Sequence, residues 1–182
     1  NFSSYNQTFD FDTTYWWRVI ATNGTDFSNY SNIMNFSVQS VLSVTLINRT
    51  IIFGNLGLGL SNDTNDTPPE PNSPFPFIMN NDGNRIVNVS ITGTQLWLSP
   101  GAPFPGSSFR FATRLNVTKN ASFNHSKSAK DWTNVLDAGS TVHVFDLLWN
   151  YTNNTAWIDL NITAPTDEPV GTRNSTLTFT IT

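Results

Sequence analysis

The chain has 182 residues, 38% of them hydrophobic and only 12% charged, with a formal net charge of −4. That balance predicts a folded protein and argues against nucleic-acid binding, which needs a basic patch. There is no cysteine, so disulfides, catalytic thiols and cysteine-based zinc sites are excluded. Polarity comes instead from 24 Asn, 18 Ser and 24 Thr. No apolar run is long enough for a membrane span, and no basic-then-apolar leader opens the chain. A first residue of Asn reads as a mature, trimmed or internal start. No helical apolar periodicity exceeds two turns. Short alternating stretches broken by Gly, Pro, Asn and Asp predict an all-β fold.

Residues 1–39 come first. "FDFDTTYWWRVIATNGTDFSNYSN" carries Phe9, Thr13, Tyr15, Val19, Ala21, Asn23, Gly24, Ser28 and Ser31 at telling intervals. This pattern resembles the C-terminal part of a fibronectin type III domain, with Phe11 where that family often has Pro. The resemblance implies that Tyr15, Trp17, Val19 and Ala21 face a core. It also implies that Tyr15 is a corner tyrosine, bonded back to the backbone. Such a domain needs about seven strands, and only the last three fit here. The segment is therefore expected to be incomplete. The rest of it lies upstream or is supplied by strand addition from a neighbour.

Residues 40–182 read as the main domain. "VLSVTLINRTIIF" predicts a first strand or strand pair whose parity slips near Asn48-Arg49, a sign of a bulge or turn. A Pro/Asp/Asn loop follows in "SNDTNDTPPEPNSP". Further strands are predicted near 75–79, 85–92, 94–98, 108–118, 141–150, 156–163 and 175–182. Together these make two packed sheets. Phe53-Gly54, Asn81-Asp82-Gly83-Asn84, and Pro165, Glu168, Pro169, Gly171 and Thr172 form turn motifs. These are similar to Ig-like modules of archaeal and bacterial surface proteins. The fold expected is an Ig-like β-sandwich preceded by an incomplete fibronectin type III-like segment.

The strongest compositional signal is the triplet Asn-x-Ser/Thr, the N-glycosylation acceptor. It occurs at Asn1, Asn6, Asn23, Asn29, Asn35, Asn48, Asn62, Asn65, Asn88, Asn116, Asn120, Asn124, Asn150, Asn153, Asn161 and Asn174. With 24 Asn and a Ser/Thr fraction of 42 in 182, chance gives about 5.5 against these sixteen. In "RIVNVSIT", "WIDLNIT" and "NSTLTFTIT" the acceptor Asn shares a strand face with polar residues. The opposite face is apolar, since residues two apart point the same way. Such faces are expected to be solvated. The competing reading is that Asn and Thr merely make polar strand faces, though Asn is depleted in strands.

Candidate chemistry is sparse. The thirteen carboxylates are scattered and form no acid–base pair in sequence. His125 reads as a loop residue and His143 as a strand residue, and no zinc site is expected. Asp63, Asp66 and Glu70, with Asn62 and Asn65, are the best calcium candidates, but their spacing fits a solvated loop better. Asp82 and the Asp167-Glu168 pair read as turn residues. Trp16 and Trp157 fall on outer strand faces and are candidates for stacking on sugar or for an interface.

The expectation is an extracellular, cell-surface, N-glycosylated structural protein, of the filament, sheath or S-layer kind, and not an enzyme. Its partners would be its own copies or neighbouring domains, with covalent N-glycans, no cofactor and no nucleic acid. The alternative is an accessory carbohydrate-binding or adhesion module of a larger secreted enzyme or adhesin.

Overall fold

The computed structural model of the protein describes residues 8–64, 74–116, 118–150 and 152–182. The chain divides into two compact units, Asn1–Val41 and Leu42–Thr182. All regular structure among the described residues is β-strand.

In the first unit, β1 (Thr13–Trp17) pairs antiparallel with β2 (Met34–Val38), Tyr15 opposite Phe36. Beyond Trp17 the ladder continues irregularly. Val19 and Ala21 accept the amides of Ser31 and Ser28, and return their own amides to the hydroxyls of those serines. The tip is a turn in which Asn23 Oδ1 accepts the Thr25 and Asp26 amides, with Gly24 at φ +105°. Asp12, at φ +57°, closes the other end by accepting the Ser40 amide. Phe9, Tyr15 and Phe36 form an aromatic cluster, with ring centroids 4.8–5.7 Å apart. The Tyr15 hydroxyl accepts the Asp10 amide at 2.6 Å.

Two strands are described here where the sequence suggested three. A two-stranded ribbon has no second layer to cover it. Trp17, Val19 and Ala21, expected to face a core, are exposed.

Nine strands lie among the described residues of the second unit. They are β3 (Val44–Asn48), β4 (Ser61–Asp63), β5 (Phe77–Asn81), β6 (Val87–Gly93), β7 (Phe109–Leu115), β8 (Thr133–Asn134), β9 (Val142–Leu147), β10 (Thr155–Thr163) and β11 (Leu177–Ile181). One sheet has the order β3-β5-β10-β7-β8, and β4 continues beside β10 where β5 leaves off. The other sheet is β11-β6-β9. Every pairing is antiparallel.

Alternation explains the strands that were legible. Val87, Val89 and Ile91 on β6 turn inward, as do Ile158, Leu160 and Ile162 on β10. They meet Met79, Phe111, Val144 and Leu147 in one core. Fully burying each such side chain contributes about 1.5–3 kcal/mol. Phe77 meets Phe179 at 5.6 Å and Phe111 meets His143 at 4.8 Å, ring edge to ring face, so the two sheets are in direct contact. Asn81 is fully buried and ties the sheets at one end. Its Nδ2 donates to Leu147 O and Arg85 O, and its Oδ1 accepts the Gly83 amide. All of its capacity for two donors is used, so burial carries no unpaired-group cost.

Three local expectations change. Residues 94–98 are not a strand. After Thr94, which still bonds Thr176, the chain turns away, and the Leu98 and Ser99 amides go to Glu168 instead. Only β3 forms in "VLSVTLINRTIIF", with a register shift between Leu46 and Asn48. The short strands β4 and β8 were not anticipated.

His143 was read as an ordinary strand residue. It is buried, and its Nδ1 accepts the Ile91 amide at 2.9 Å, so the folded ring is neutral with its proton on Nε2. Burial lowers its pKa from 6.5. The unfolded chain therefore binds a proton below about 6.5 that the fold refuses, and stability is complete above that pH and lost as pH falls through this window. Urea denaturation between pH 7.5 and 5 should show falling stability, flattened in His143→Gln. An unchanged slope in that variant would contradict the assignment.

Candidate glycosylation and interaction surface

The acceptor asparagines sort by what their side chains do. Asn1, Asn6 and Asn65 lie outside the described residues, as do Asp66 and Glu70. Asn23, Asn29, Asn35, Asn120, Asn150 and Asn174 are exposed. Asn48, Asn62, Asn88, Asn116, Asn124 and Asn153 are half-buried, and Asn161 is buried.

Several triplets are small turns. The hydroxyls of Thr25, Thr118, Ser126 and Thr152 each donate to the Oδ1 of the Asn two residues earlier, at 2.8–3.0 Å. At Asn23 and Asn116 the amide two residues on joins them. This is Asx-turn chemistry, and it gives Asn-x-Thr a structural use beside any modification. At Asn116 and Asn150 it occupies Oδ1 and leaves Nδ2 without a bond to any described residue.

The four-residue spacing of Asn116, Asn120 and Asn124 does not belong to a continuing strand. β7 ends at Leu115, and a tight turn bridges Asn116 to Lys119. Lys119 Nζ then reaches Asn154 Oδ1 at 2.7 Å, beside a second turn that bridges Asn150 to Asn153. Asn124 Nδ2 donates to Asp146, whose own amide donates to Asn88 Oδ1. Asp146 sits at φ +57° where β9 slips register against β6, which turns its amide outward.

The outer face of β10 departs most from expectation. Trp157, Asp159, Asn161 and Thr163 were expected to be solvated. Instead Asp159 is 1% exposed and Asn161 6%. Arg114 clasps Asp159 with Nε at 2.7 Å and Nη2 at 2.9 Å, and Thr64 Oγ1 donates to the same carboxylate at 2.8 Å. Arg110 Nη2 donates to Asn161 Oδ1 at 2.8 Å, and Asn161 Nδ2 faces Asp63 Oδ2 at 3.5 Å. Asp63, a calcium candidate in the sequence, is thus placed against Asn161. Among the described residues no three His, Asp or Glu side chains converge as a metal would need.

Part of this was readable. Arg110 and Arg114 share one face of "FRFATRL", and guanidinium groups on a covered strand face need acceptors opposite. Which strand supplies them is set by the pairing of Asn161 with Arg110 and of Trp157 with Arg114.

Two tryptophans were singled out. Trp157 lies beneath the Arg114 guanidinium at 4.8 Å, a cation–π contact that covers its ring. Trp16 is 68% exposed.

Glu168, read as a turn residue, is buried and holds two segments together. It accepts the Leu98 and Ser99 amides and pairs with Arg173. Burial alone would raise its pKa; Arg173 and the two amides outweigh that and hold it below its usual 4.5. Asp82 is likewise held low, by the Thr45 and Ser43 hydroxyls. An apolar cleft of about 1190 Å³ opens between the sheets beside Leu46, Phe53, Leu177 and Phe179. At its rim Glu168 and Arg173 are spent on each other.

The chain matches no protein-family model, no curated protein and no solved structure.

The Arg114–Asp159 pair has a testable weight. Arg114→Ala leaves a buried carboxylate with one hydroxyl partner, and breaking a buried pair costs about 3–5 kcal/mol. Arg114 is about a quarter exposed, so the lower end is expected in denaturant titration. The double variant Arg114→Met with Asp159→Leu should recover most of that loss. A double variant no more stable than Arg114→Ala would contradict the argument.

Proposed function

We propose that the protein is a structural, N-glycosylated component of a cell surface. It acts outside the cell, and its work is mechanical. β-sandwich units associate with their own copies or with neighbouring domains, and glycans hydrate the outer surfaces. The observation that carries this reading is the excess of acceptor triplets, sixteen against about 5.5 expected from composition. The Asx turns explain the hydroxyl at a few positions. They do not explain exposed triplets such as Asn29, Asn35 and Asn174, whose side chains bond no described residue.

Two features of the first unit support association. Its ribbon leaves large apolar side chains exposed, among them Phe27 at 69% and Ile33 at 63%. Its Tyr15–Asp10 bond has the form of a tyrosine corner, which belongs to a larger sandwich than the described strands make. A surrounding sheet, from the same protein or from a neighbouring copy, would cover those side chains. Exposed Trp16 also supports a second reading, a carbohydrate-binding or adhesion module. In that case Trp16→Ala abolishes binding on a glycan array.

The assembly reading is tested by sedimentation and negative-stain microscopy of the glycosylated chain at rising concentration. Ordered oligomers or fibres are expected. A monomer at every concentration, with no ordered assembly, counts against it.

A further inference from the structure

N-glycan transfer is a displacement at the sugar. The Asn Nδ2 attacks the anomeric carbon of a glycosyl phosphate donor. A carbon–nitrogen bond forms and the carbon–oxygen bond to phosphate breaks. The phosphate leaves with the bonding pair, and Nδ2 gives up one proton. The acceptor nitrogen must therefore be reachable and must have a hydrogen to lose, and the folded protein must have room for the sugar.

Two acceptor triplets fail these conditions. Asn48 Nδ2 spends both hydrogens on main-chain carbonyls, Pro76 O at 2.7 Å and Phe75 O at 3.1 Å. Those bonds pin the chain after the segment 65–73 to the end of β3. Asn161 is buried between Arg110 and Asp63 on the covered face of β10. A sugar on Asn161 would have to displace Arg110 and Asp63, whose side chains meet its own. A glycan added before folding would keep Arg110 and Asp63 from closing over Asn161, and the fold as it stands leaves no room for one.

The remaining acceptors of the second unit are unevenly placed. β10 begins at Thr155 opposite Asn80, and Ala156 faces Leu115 at the end of β7. The turns carrying Asn116, Asn120, Asn150 and Asn153 all adjoin this end and are joined by the Lys119–Asn154 bond. Asn88 is also near it, one residue into β6 and paired with Thr182. Asn124, bonded through Nδ2 to Asp146, lies beside Asn88, and among the described residues only Asn62 and Asn174 remain at the other end.

Resting on the glycoprotein reading above, we propose that the glycans gather at one end of the sandwich, on Asn116, Asn120, Asn150 and Asn153, and that Asn48 and Asn161 stay bare in the folded protein. The coat is then polarised along the unit rather than uniform.

The test is site-resolved glycan mapping of the folded chain from a glycosylation-competent cell. Electron-transfer fragmentation of its glycopeptides reads the glycan mass on each Asn. The expected result is glycan at the four turn sites and none at Asn48 or Asn161. Glycan on Asn48 or Asn161 at levels comparable to the turn sites overturns this inference while leaving the glycoprotein reading intact. Glycan at no site overturns both. Variants give a second readout. Asn120→Gln should lose one glycan's mass with an unchanged thermal midpoint. Asn48→Gln should lose no glycan mass and melt earlier, because it gives up two bonds to main-chain carbonyls. Loss of glycan mass in Asn48→Gln would overturn the assignment.

Discussion

β10 sets the terms for the second unit. It is hydrogen-bonded along both edges, by β7 on one side and by β5 and then β4 on the other. Its inner side chains are the middle of the core, and its outer side chains are covered too. A strand with an apolar and a polar face is ordinarily stable with the polar face in water. Here that face is buried, so its polar groups depend on partners within the protein; Trp157 Nε1 alone on this face has none among the described residues. Arg114 and Thr64 answer Asp159, and Arg110 answers Asn161. The Arg114 guanidinium also lies over the Trp157 ring while it satisfies Asp159.

The same constraint changes how the acceptor triplets are read. An Asn-x-Thr triplet on an alternating strand has its polar groups on one face, and that face is a site for sugar only if nothing else covers it. Asn161 shows the covered case. Asn88, on β6, is less covered: it is half-buried with its Oδ1 on the Asp146 amide, and Thr178 and Thr180 on the next strand are exposed although Ser90 is buried. Between them stand the turn triplets, where Asn Oδ1 accepts the hydroxyl two residues on and, at Asn116 and Asn150, Nδ2 bonds no described residue. One sequence motif therefore serves three purposes in this chain: buried network, turn former and candidate acceptor.

The regular part of the fold was legible because period-two alternation is local. β6, β10 and β11 each carry an inward run of Val, Ile, Leu or Phe, and the strands lie within a few residues of where that pattern puts them. The Tyr15 bond to Asp10 spans five residues; the family resemblance, not alternation, implied a bond of this kind. What could not be read depends on distant pairing. β4 and β8 have three and two residues, too short to show a period, and they exist because longer strands offer them an edge. The stretch 94–98 has strand-like residues but loses its ladder to Glu168, some seventy positions away. The solvation of the β10 face was misjudged for the same reason. Alternation tells which residues share a face, and only the register of β7 and β4 tells what lies over it.

The account rests on the acceptor triplets being used. Its most direct test is the intact mass of this chain, secreted in folded form by a glycosylation-competent cell. The account predicts a heterogeneous mass well above the bare 20.3 kDa polypeptide, by several glycans per molecule. A single species at the polypeptide mass would contradict it.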